Sequence, residues 1–274
     1  FISIHARQSI LYIPFIPLYL NPSHSFYSMY LCSYNSQSIL FYLNIVFYEF
    51  FAGSPLIIKG VAMMKHLDYR HQEKWALANN TLIPQSPIDV QTDQLLAEVD
   101  TSLQINLPSD QEVIVKDTPI GIQIYADGDL QWRGHEYMLN RFHFHDGAEH
   151  LVNGKRHAAE IHFAFESVDI NQLVLAVFAD VDEDCTDDSI LTLLDAPHKL
   201  VDFDINKLLP KNQTFWTYKG SMTTPPLNQT ITWLILEEPI KISPAEKDLL
   251  QDKLRSNYRN IQETKDRDVY RIED

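Results

Sequence analysis

The sequence predicts a mainly β fold, of the α+β class, for residues 64–274. Three observations lead to this prediction. Short runs rich in β-branched, aromatic and aliphatic residues dominate the region, helical patterns are few, and strands do not alternate regularly with long helices. Because a doubly wound parallel sheet requires that alternation, the pattern argues against such a sheet.

Seven short apolar runs have the composition of β-strands and are bounded by turn-forming residues. We interpret each as one strand of a sheet. In chain order they are 100–106, 112–115, 120–125, 139–145, 158–166, 172–179 and 230–236.

Two segments carry helix signals. The stretch 189–196, SILTLLDA, follows Thr186 and Asp187, which are candidate N-caps. The stretch 243–246, SPAE, is a capping box with Pro at the first helical position, and it predicts a helix that runs to about Leu254.

The decapeptide RFHFHDGAEH, residues 141–150, crowds three histidines together. In a strand, His143 and His145 project from one face while Phe142 and Phe144 project from the other. A histidine in a strand is more often a satisfied structural residue than a ligand. The pair alone therefore does not establish a metal site.

A turn downstream predicts that a third imidazole joins this face. Asn153-Gly154 is a strong hairpin signal, because a type I′ turn needs positive φ at both central residues. A hairpin closed by that turn sets His145 opposite His162. Since Asp146-Gly147 can bulge the first strand, this register is approximate.

Three neutral imidazoles without a nearby thiolate are typical of zinc, and they leave the fourth tetrahedral position open to water. An open position favours catalysis, because zinc makes its bound water acidic enough to supply hydroxide near neutral pH. The second nitrogen of each ring needs an acceptor. Glu160 and Glu149 are candidates, although each alone would be interpreted as a solvated surface carboxylate.

Several motifs, in order, resemble the alpha-class carbonic anhydrases from about Met64 to the C-terminus. The resemblance implies a large, twisted, mostly antiparallel central sheet with a few peripheral helices and zinc at the base of a conical cleft. The motifs are QSPIDV at 85–90, FHFH at 142–145, EH at 149–150, AEIHF at 159–163, FWTYKGSMTTPP at 215–226 and ITW at 231–233.

The resemblance assigns the zinc ligands and the groups around them. It implies that Zn²⁺ is bound by His143, His145 and His162, and that Glu160 accepts a hydrogen bond from the third of these. Two further members of the surrounding hydrogen-bond network are His150 and Tyr218, and Tyr69 matches a tyrosine of the solvent network.

The resemblance also assigns the catalytic and substrate-binding residues. Thr223 is expected to accept a hydrogen bond from the hydroxide on zinc and to donate one to Glu149, because an ionised carboxylate can only accept. Thr224 is expected at the mouth of the site. The apolar wall for carbon dioxide is expected to comprise Ala164, Val174, Met222, Ile231 and Trp233.

Three departures from the family pattern affect these expectations. Arg141 replaces a glutamine that accepts from the first zinc histidine, and a guanidinium cannot accept, so we expect a backbone carbonyl to serve instead. Thr118 aligns with the position of a proton-shuttling histidine, which predicts that proton export depends on small buffers unless His66 or His71 reaches the cavity and serves instead. Lys116 and Gly121 replace polar residues that line the cavity in the family.

Composition is compatible with a large enzyme domain. The chain has 274 residues, 45% of them hydrophobic, which is enough to bury a sizeable core. The formal net charge of −15 disfavours binding to nucleic acid or anionic lipid. Only Cys185 lies in the matching region, so an internal disulfide there is excluded and a reducing, cytoplasmic location is favoured.

Residues 1–63 differ sharply from the rest and carry only Arg7, Glu49 and Lys59 as charges. One interpretation is an export or membrane segment at 39–51, which would make the protein exported or membrane-anchored. However, Asn44 and Glu49 interrupt that run, and it is shorter than a membrane span. We favour a non-native or disordered hydrophobic leader, with the catalytic domain at 64–274.

Together these features predict a zinc-dependent carbonic anhydrase that interconverts carbon dioxide and bicarbonate. Sulfonamide and anion inhibitors are expected, and a homodimer is compatible with the sequence. Two alternatives stay open: a catalytically silent relative that acts as a binding module, and a zinc-dependent esterase activity alongside the main reaction.

Overall fold

The computed structural model describes residues 66–75, 83–100, 102–169, 171–195, 200–227 and 230–273, together with two short strands before them. The chain divides into two compact units, Phe1–Met63 and Met64–Asp274. In the first unit, β1 (Phe26–Tyr30) and β2 (Asn44–Tyr48) pair antiparallel. The rest of the predicted leader lies outside the described residues. Among the described residues, no helix has the length and apolar character needed to cross a membrane.

The second unit is built on a twelve-stranded sheet in the described part of the chain. Its strand order is β13-β6-β7-β9-β11-β12-β15-β14-β16-β4, and β5 joins it through β8, which pairs with β9. The pairs β12–β15 and β16–β4 are parallel and the other pairs are antiparallel. The predicted mainly β fold is therefore confirmed, as a mixed sheet with few helices.

The strand and helix bounds of this unit follow in chain order. The strands are β3 (Asp89–Val90), β4 (Leu96–Val99), β5 (Gln104–Asn106), β6 (Gln111–Thr118), β7 (Gly121–Tyr125), β8 (Asp129–Trp132), β9 (His135–His145), β10 (Leu151–Val152), β11 (Ala159–Ser167), β12 (Gln172–Val181), β13 (Leu200–Phe203), β14 (Phe215–Ser221), β15 (Thr230–Ile242) and β16 (Tyr270–Glu273). The helices are α1 (Ser189–Leu194) and α2 (Pro244–Leu254), with short 3₁₀ segments at Tyr69–Lys74 and Ile205–Leu208.

The central strands are buried on both faces, which explains their nearly continuous apolar sequences. In β11, Ile161, Phe163 and Phe165 point into the larger hydrophobic core. Because side chains alternate along a strand, His162 and Glu160 point to the opposite face, and both are at most 2% exposed. The face that carries the polar residues is therefore also enclosed.

Helix α2 begins as the sequence predicts. The Ser243 hydroxyl accepts from the Glu246 main-chain N–H at 3.1 Å, and the Glu246 carboxylate accepts from the Ser243 N–H at 3.0 Å. The second oxygen of Glu246 also accepts from the Ile190 N–H at 2.8 Å. The capping box thus joins α2 to the first turn of α1.

The register predicted for the histidine strands is wrong by two residues. The structure pairs His162 with His143, and it pairs Glu160 with His145. The Asn153-Gly154 turn forms, with φ of 50° and 77°, but it closes only the short contact between Val152 and Lys155. Because the chain between the two long strands leaves the sheet to form β10, the turn does not set their register.

A chain that begins at Met64 is expected to fold and unfold as cooperatively as the full chain, since both hydrophobic cores lie after that residue. Thermal unfolding of the two proteins would check this expectation. A chain that begins at Ile83 is the control and should be less stable, because it lacks Gln72, which donates to the Tyr258 carbonyl at 3.1 Å. Loss of cooperative unfolding on removal of residues 1–63 would show that they belong to the folded domain.

Candidate metal centre

Three imidazoles converge between β9 and β11. The ring centroids lie 5.0 Å apart for His143 and His145, 5.3 Å for His143 and His162, and 4.5 Å for His145 and His162. Their ligand nitrogens all lie within 4.8 Å of one another. The alternation of side chains along the two strands brings all three to one face, as the sequence predicts.

The hydrogen-bond partners of two rings determine which nitrogens are bare. His145 Nδ1 lies 2.5 Å from the Asn257 carbonyl oxygen, and His162 Nε2 lies 2.8 Å from Glu160 Oε1. Since both partners are acceptors, these two nitrogens carry the protons in the neutral rings. His145 Nε2 and His162 Nδ1 are then unprotonated, and they face each other at 3.2 Å.

Two lone pairs at that distance repel each other unless a cation lies between them. A zinc ion with nitrogen ligands at about 2.0–2.1 Å in tetrahedral geometry would hold them about 3.3 Å apart. Burial also lowers the pKa of His143 and of His145, so these rings are neutral and ready to coordinate. The donor set therefore fits a zinc ion.

His143 lacks the acceptor that the other two rings have. Its Nδ1 is buried and has no hydrogen-bond partner among the described residues. Arg141 donates instead to Gln123 Oε1 at 2.8 Å. The expectation that a backbone carbonyl would accept from His143 is therefore wrong in this structure.

A buried polar chain extends from the third histidine. Glu160 Oε1 accepts from His162 Nε2 at 2.8 Å and lies 2.7 Å from His150 Nδ1. His150 Nε2 lies 2.7 Å from the Tyr218 hydroxyl, which donates to Ser86 Oγ at 2.8 Å. Burial alone would raise the pKa of Glu160, but the two histidines hold it well below the usual range. Glu160 is thus an ionised acceptor that orients the third ring.

Glu149 is buried beside the cluster with one oxygen unused. Its Oε1 accepts from the Arg259 main-chain N–H at 2.5 Å. Its Oε2 lies 3.6 Å from His145 Nε2 and has no hydrogen-bond partner among the described residues. The hydrogen bond expected from Thr223 is therefore not formed here, although Thr223 is only 5% exposed.

A small cavity of about 20 Å³ opens onto His143 and His162. Ile231 is fully buried and does not line it. The other predicted wall and mouth residues do line it, together with Tyr69: they are Ala164, Val174, Met222, Thr223, Thr224 and Trp233. The lining of the cavity is thus mainly apolar, with Gln123, Arg141 and the two threonines among its polar members.

The structure places the predicted shuttle position away from this cavity. Thr118 is 9% exposed, and its hydroxyl donates to the Gly121 carbonyl at 2.7 Å. Ile120 and Gln123 line the cavity instead. His66, whose Nε2 lies 2.9 Å from Asp117 Oδ1, does not line it.

Sequence reasoning missed four residues that support the cluster. Asn257 and Arg259 offer main-chain groups to His145 and Glu149, and main-chain contacts leave no side-chain signal. The remaining two are Ser86 and Gln123, although Ser86 lies within the QSPIDV motif that the family resemblance had already marked.

Several known proteins that resemble this chain in sequence and fold are carbonic anhydrases. The mitochondrial carbonic anhydrase 5A of Homo sapiens is 28% identical over 255 residues, which cover 72% of this chain and 83% of that protein. A carbonic anhydrase of Nostoc sp. is 27% identical over 67% of this chain and 74% of its own length. The alpha-carbonic anhydrase of Thermovibrio ammonificans, solved in complex with the inhibitor sulfanilamide, superposes with a TM-score of 0.61 at 27% identity, over 68% of this chain and 86% of that one.

The family model for eukaryotic-type carbonic anhydrases matches residues 70–273. That range contains all three histidines of the cluster, the two buried glutamates and, except for Tyr69, the residues around the small cavity. The chain therefore belongs to the eukaryotic-type carbonic anhydrase family.

Proposed function

We propose that this protein is a zinc-dependent enzyme that reversibly hydrates carbon dioxide to bicarbonate and a proton. The observation that carries the proposal is the pair of bare imidazole nitrogens, 3.2 Å apart, beside a third imidazole and an apolar cavity. Family membership supports the reaction, and the donor set supports the metal.

His143, His145 and His162 would hold the ion. When bound, zinc lowers the pKa of a water molecule to about 7, and carbonic anhydrases are the standard example of this effect. Glu160 and the Asn257 carbonyl keep two of the rings in the tautomer that presents a lone pair inward.

Thr223 and Glu149 would orient the nucleophile. Glu149 Oε2 is a buried acceptor with no hydrogen-bond partner in the described part of the chain, and leaving such an atom unpaired is costly. The Thr223 hydroxyl can donate to it and then has only its lone pairs left for the nucleophile. The nucleophile must in that case donate its own proton to Thr223, which directs its lone pair towards carbon dioxide.

The apolar side chains around the cavity would hold carbon dioxide by shape. Val174, Ala164 and Trp233 offer no charge to a non-polar molecule, so binding is weak and release is easy. The Trp233 indole N–H is already used, since it donates to the Ser221 carbonyl at 3.1 Å. The Trp233 side chain is therefore held in place by a hydrogen bond outside the cavity wall.

Stopped-flow measurement of carbon dioxide hydration tests the proposal. The zinc-loaded protein should accelerate hydration, the chelator-treated protein should not, and restored zinc should recover the rate. Sulfanilamide should inhibit the loaded protein, because a sulfonamide anion can replace the nucleophile and still donate an N–H to Thr223. A loaded protein without hydration activity would favour a silent binding module, and activity on esters alone would favour an esterase.

Replacing Arg141 by Gln is expected to tighten zinc binding by roughly tenfold. A glutamine oxygen would give His143 Nδ1 the acceptor that it lacks, and such partners of metal ligands affect metal affinity by about 10–100-fold. Competition with a chromophoric chelator measures the effect. Arg141→Met is the control, since it removes the charge without adding an acceptor; equal tightening in both variants would contradict the acceptor explanation.

Proton export is expected to limit turnover in dilute buffer. A group that passes a proton to water at neutral pH must titrate near that pH, as histidine does. Besides the zinc ligands, none of the described residues lining the small cavity is a histidine. Turnover should therefore rise several-fold with the concentration of an imidazole buffer.

Ile120→His should raise turnover in dilute buffer, because this position lines the cavity. Thr118→His is the matched comparison and should help less, since Thr118 is buried and bonded to Gly121. Fast turnover that does not respond to buffer but falls in His66→Ala would contradict this account and identify His66 as the shuttle.

We propose a cytoplasmic location for the enzyme. Cys185 is a free cysteine that is partly exposed, which is typical of a reducing compartment. Fractionation of cells that produce the full chain tests the proposal, and recovery in the membrane fraction would support the alternative that residues 1–63 act as an anchor.

A further inference from the structure

We propose that a second cavity in the catalytic unit binds an oxyanion carried on a planar ring. This cavity, which we call the rear cavity, lies between the β8–β9 hairpin, strand β14, the start of β15 and residues 267–270. Its volume is about 610 Å³, which is within the usual range for small-molecule sites. It shares no lining residue with the cavity at the histidine cluster.

Two cations, the exposed Lys219 and the part-buried Arg267, line the rear cavity without a carboxylate partner among the described residues. Lys219 Nζ contacts only the Thr232 hydroxyl. Arg267 donates to the main-chain carbonyls of Thr264, at 2.8 Å, and Glu263, at 2.7 Å. In a chain of net charge −15, most cations can find a carboxylate. Because no carboxylate of the described residues neutralises them, both can pair with an anionic ligand.

The surrounding charges favour the same ligand. Burial and the nearby Arg133 lower the pKa of Lys219, so an anion beside the ammonium would relieve an existing repulsion. Arg133 already pairs with Glu98 at 2.6 Å and Asp100 at 2.8 Å. Asp268 is the one carboxylate among the described lining residues; it is exposed, and Tyr270 donates to it at 3.4 Å.

Aromatic side chains form much of the remaining wall, and they indicate that the ligand carries its anionic group on a planar ring. Trp132, Tyr137, Tyr218 and Tyr270 all line the rear cavity. The Arg267 guanidinium lies 5.3 Å from the Tyr218 ring centroid, so a cation and an aromatic face are already adjacent. Arg133 likewise lies 4.5 Å from the Trp132 ring centroid. A planar ring would therefore stack on these guanidinium groups and on Tyr270, the least buried of the four aromatic residues, while its anionic group meets the cations. A bare inorganic anion would use only the cationic part.

Isothermal titration of the zinc-loaded full chain tests the proposal with adenosine monophosphate and phenyl phosphate. Adenosine, which lacks the oxyanion, and inorganic phosphate, which lacks the ring, are the matched comparisons. We expect one site per chain for at least one ring phosphate, with both comparison molecules binding at least tenfold more weakly. Saturation with sulfanilamide should leave this binding unchanged, because the two cavities share no lining residue.

Variants assign the site to the two cations. Lys219→Gln and Arg267→Gln should each weaken binding by roughly tenfold or more, since each removes a charge-assisted hydrogen bond. Lys241→Gln removes an exposed lysine of the same charge elsewhere on β15 and should bind as the original chain does. Thermal unfolding checks that each variant is folded. If the Arg267→Gln variant is misfolded because it loses the contacts of Arg267 with the backbone, the Lys219→Gln variant alone tests the proposal.

Three results would overturn the proposal. The first is that neither adenosine monophosphate nor phenyl phosphate binds at concentrations up to about 5 mM, a limit weaker than ordinary ligand affinities. Undiminished binding to a folded Lys219→Gln variant is the second. Displacement of the ring phosphates by sulfanilamide is the third, because it would place them at the histidine cluster.

Discussion

Replacing His162 by Ala is expected to abolish stoichiometric zinc binding and to reduce carbon dioxide hydration to the rate of buffer alone. His162 presents a bare Nδ1 at 3.2 Å from the bare Nε2 of His145, so its loss leaves two imidazoles in place of three. A site that keeps only two of its three protein ligands loses most of its affinity for zinc. Metal analysis of the dialysed variant and stopped-flow hydration measure both effects.

The control is His135→Ala, because His135 is exposed and lies outside the cluster. This variant should retain one zinc per chain and full hydration activity. The His162→Ala protein should also be less stable, since Glu160 loses one of its hydrogen-bond donors in a fully buried position. Full zinc content in folded His162→Ala would contradict the assignment of the ligands.

Replacing Thr223 by Ala is expected to lower kcat/KM for hydration by about a hundredfold, the usual cost of a misoriented reacting group, while zinc stays bound. Without the hydroxyl, no hydrogen bond links the buried Glu149 carboxylate to the nucleophile, so the nucleophile is no longer oriented. Glu149 Oε2 also keeps no partner among the described residues. Hydration kinetics and zinc content should be measured on the same preparation.

Thr223→Ser is the matched control, because it keeps the hydroxyl and should retain most of the activity. Glu149→Gln tests the other end of the relay. Its amide can donate to Thr223 and thereby reverse the direction of the hydrogen bond, so it should lose activity to a similar extent. Unchanged kinetics in Thr223→Ala would refute the role of the hydroxyl.

The alternation of side chains was sufficient to predict the histidine cluster. Period-two spacing in β9 and β11 sends His143, His145 and His162 to one face in the observed register and in any register shifted from it by an even number of residues, as the predicted one was. The exact pairing could not be predicted, because it depends on where residues 146–150 leave the sheet. Asp146 stabilises the chain where it leaves the sheet, since its carboxylate accepts from the Ser256 N–H at 2.7 Å. This contact joins residues 110 positions apart in the sequence.

The predicted strand runs found the centre of the sheet but not all of it. β14 was missed although its first four residues have strand composition and it pairs along its whole length with β15. β16 was missed because it is short and pairs in parallel with β4, far away in the sequence. Pairing between distant segments leaves no local pattern.

The supporting contacts of the site were the least predictable part. His145 is oriented by a main-chain carbonyl of residue 257, and Glu149 by a main-chain N–H of residue 259. Any residue can supply a main-chain group, so the sequence of the loop after α2 gives no signal. The unpaired Nδ1 of His143 could be anticipated only in part, from the replacement by Arg141 of a residue that can accept.

X-ray anomalous scattering at the zinc edge, from crystals of the zinc-loaded protein, tests the central claim most directly. The account predicts one zinc per chain, bonded at about 2.0–2.1 Å to His143 Nε2, His145 Nε2 and His162 Nδ1, with a fourth ligand that is not protein. Zinc bound elsewhere, or bound in the cluster with a protein side chain closing the fourth position, would contradict it.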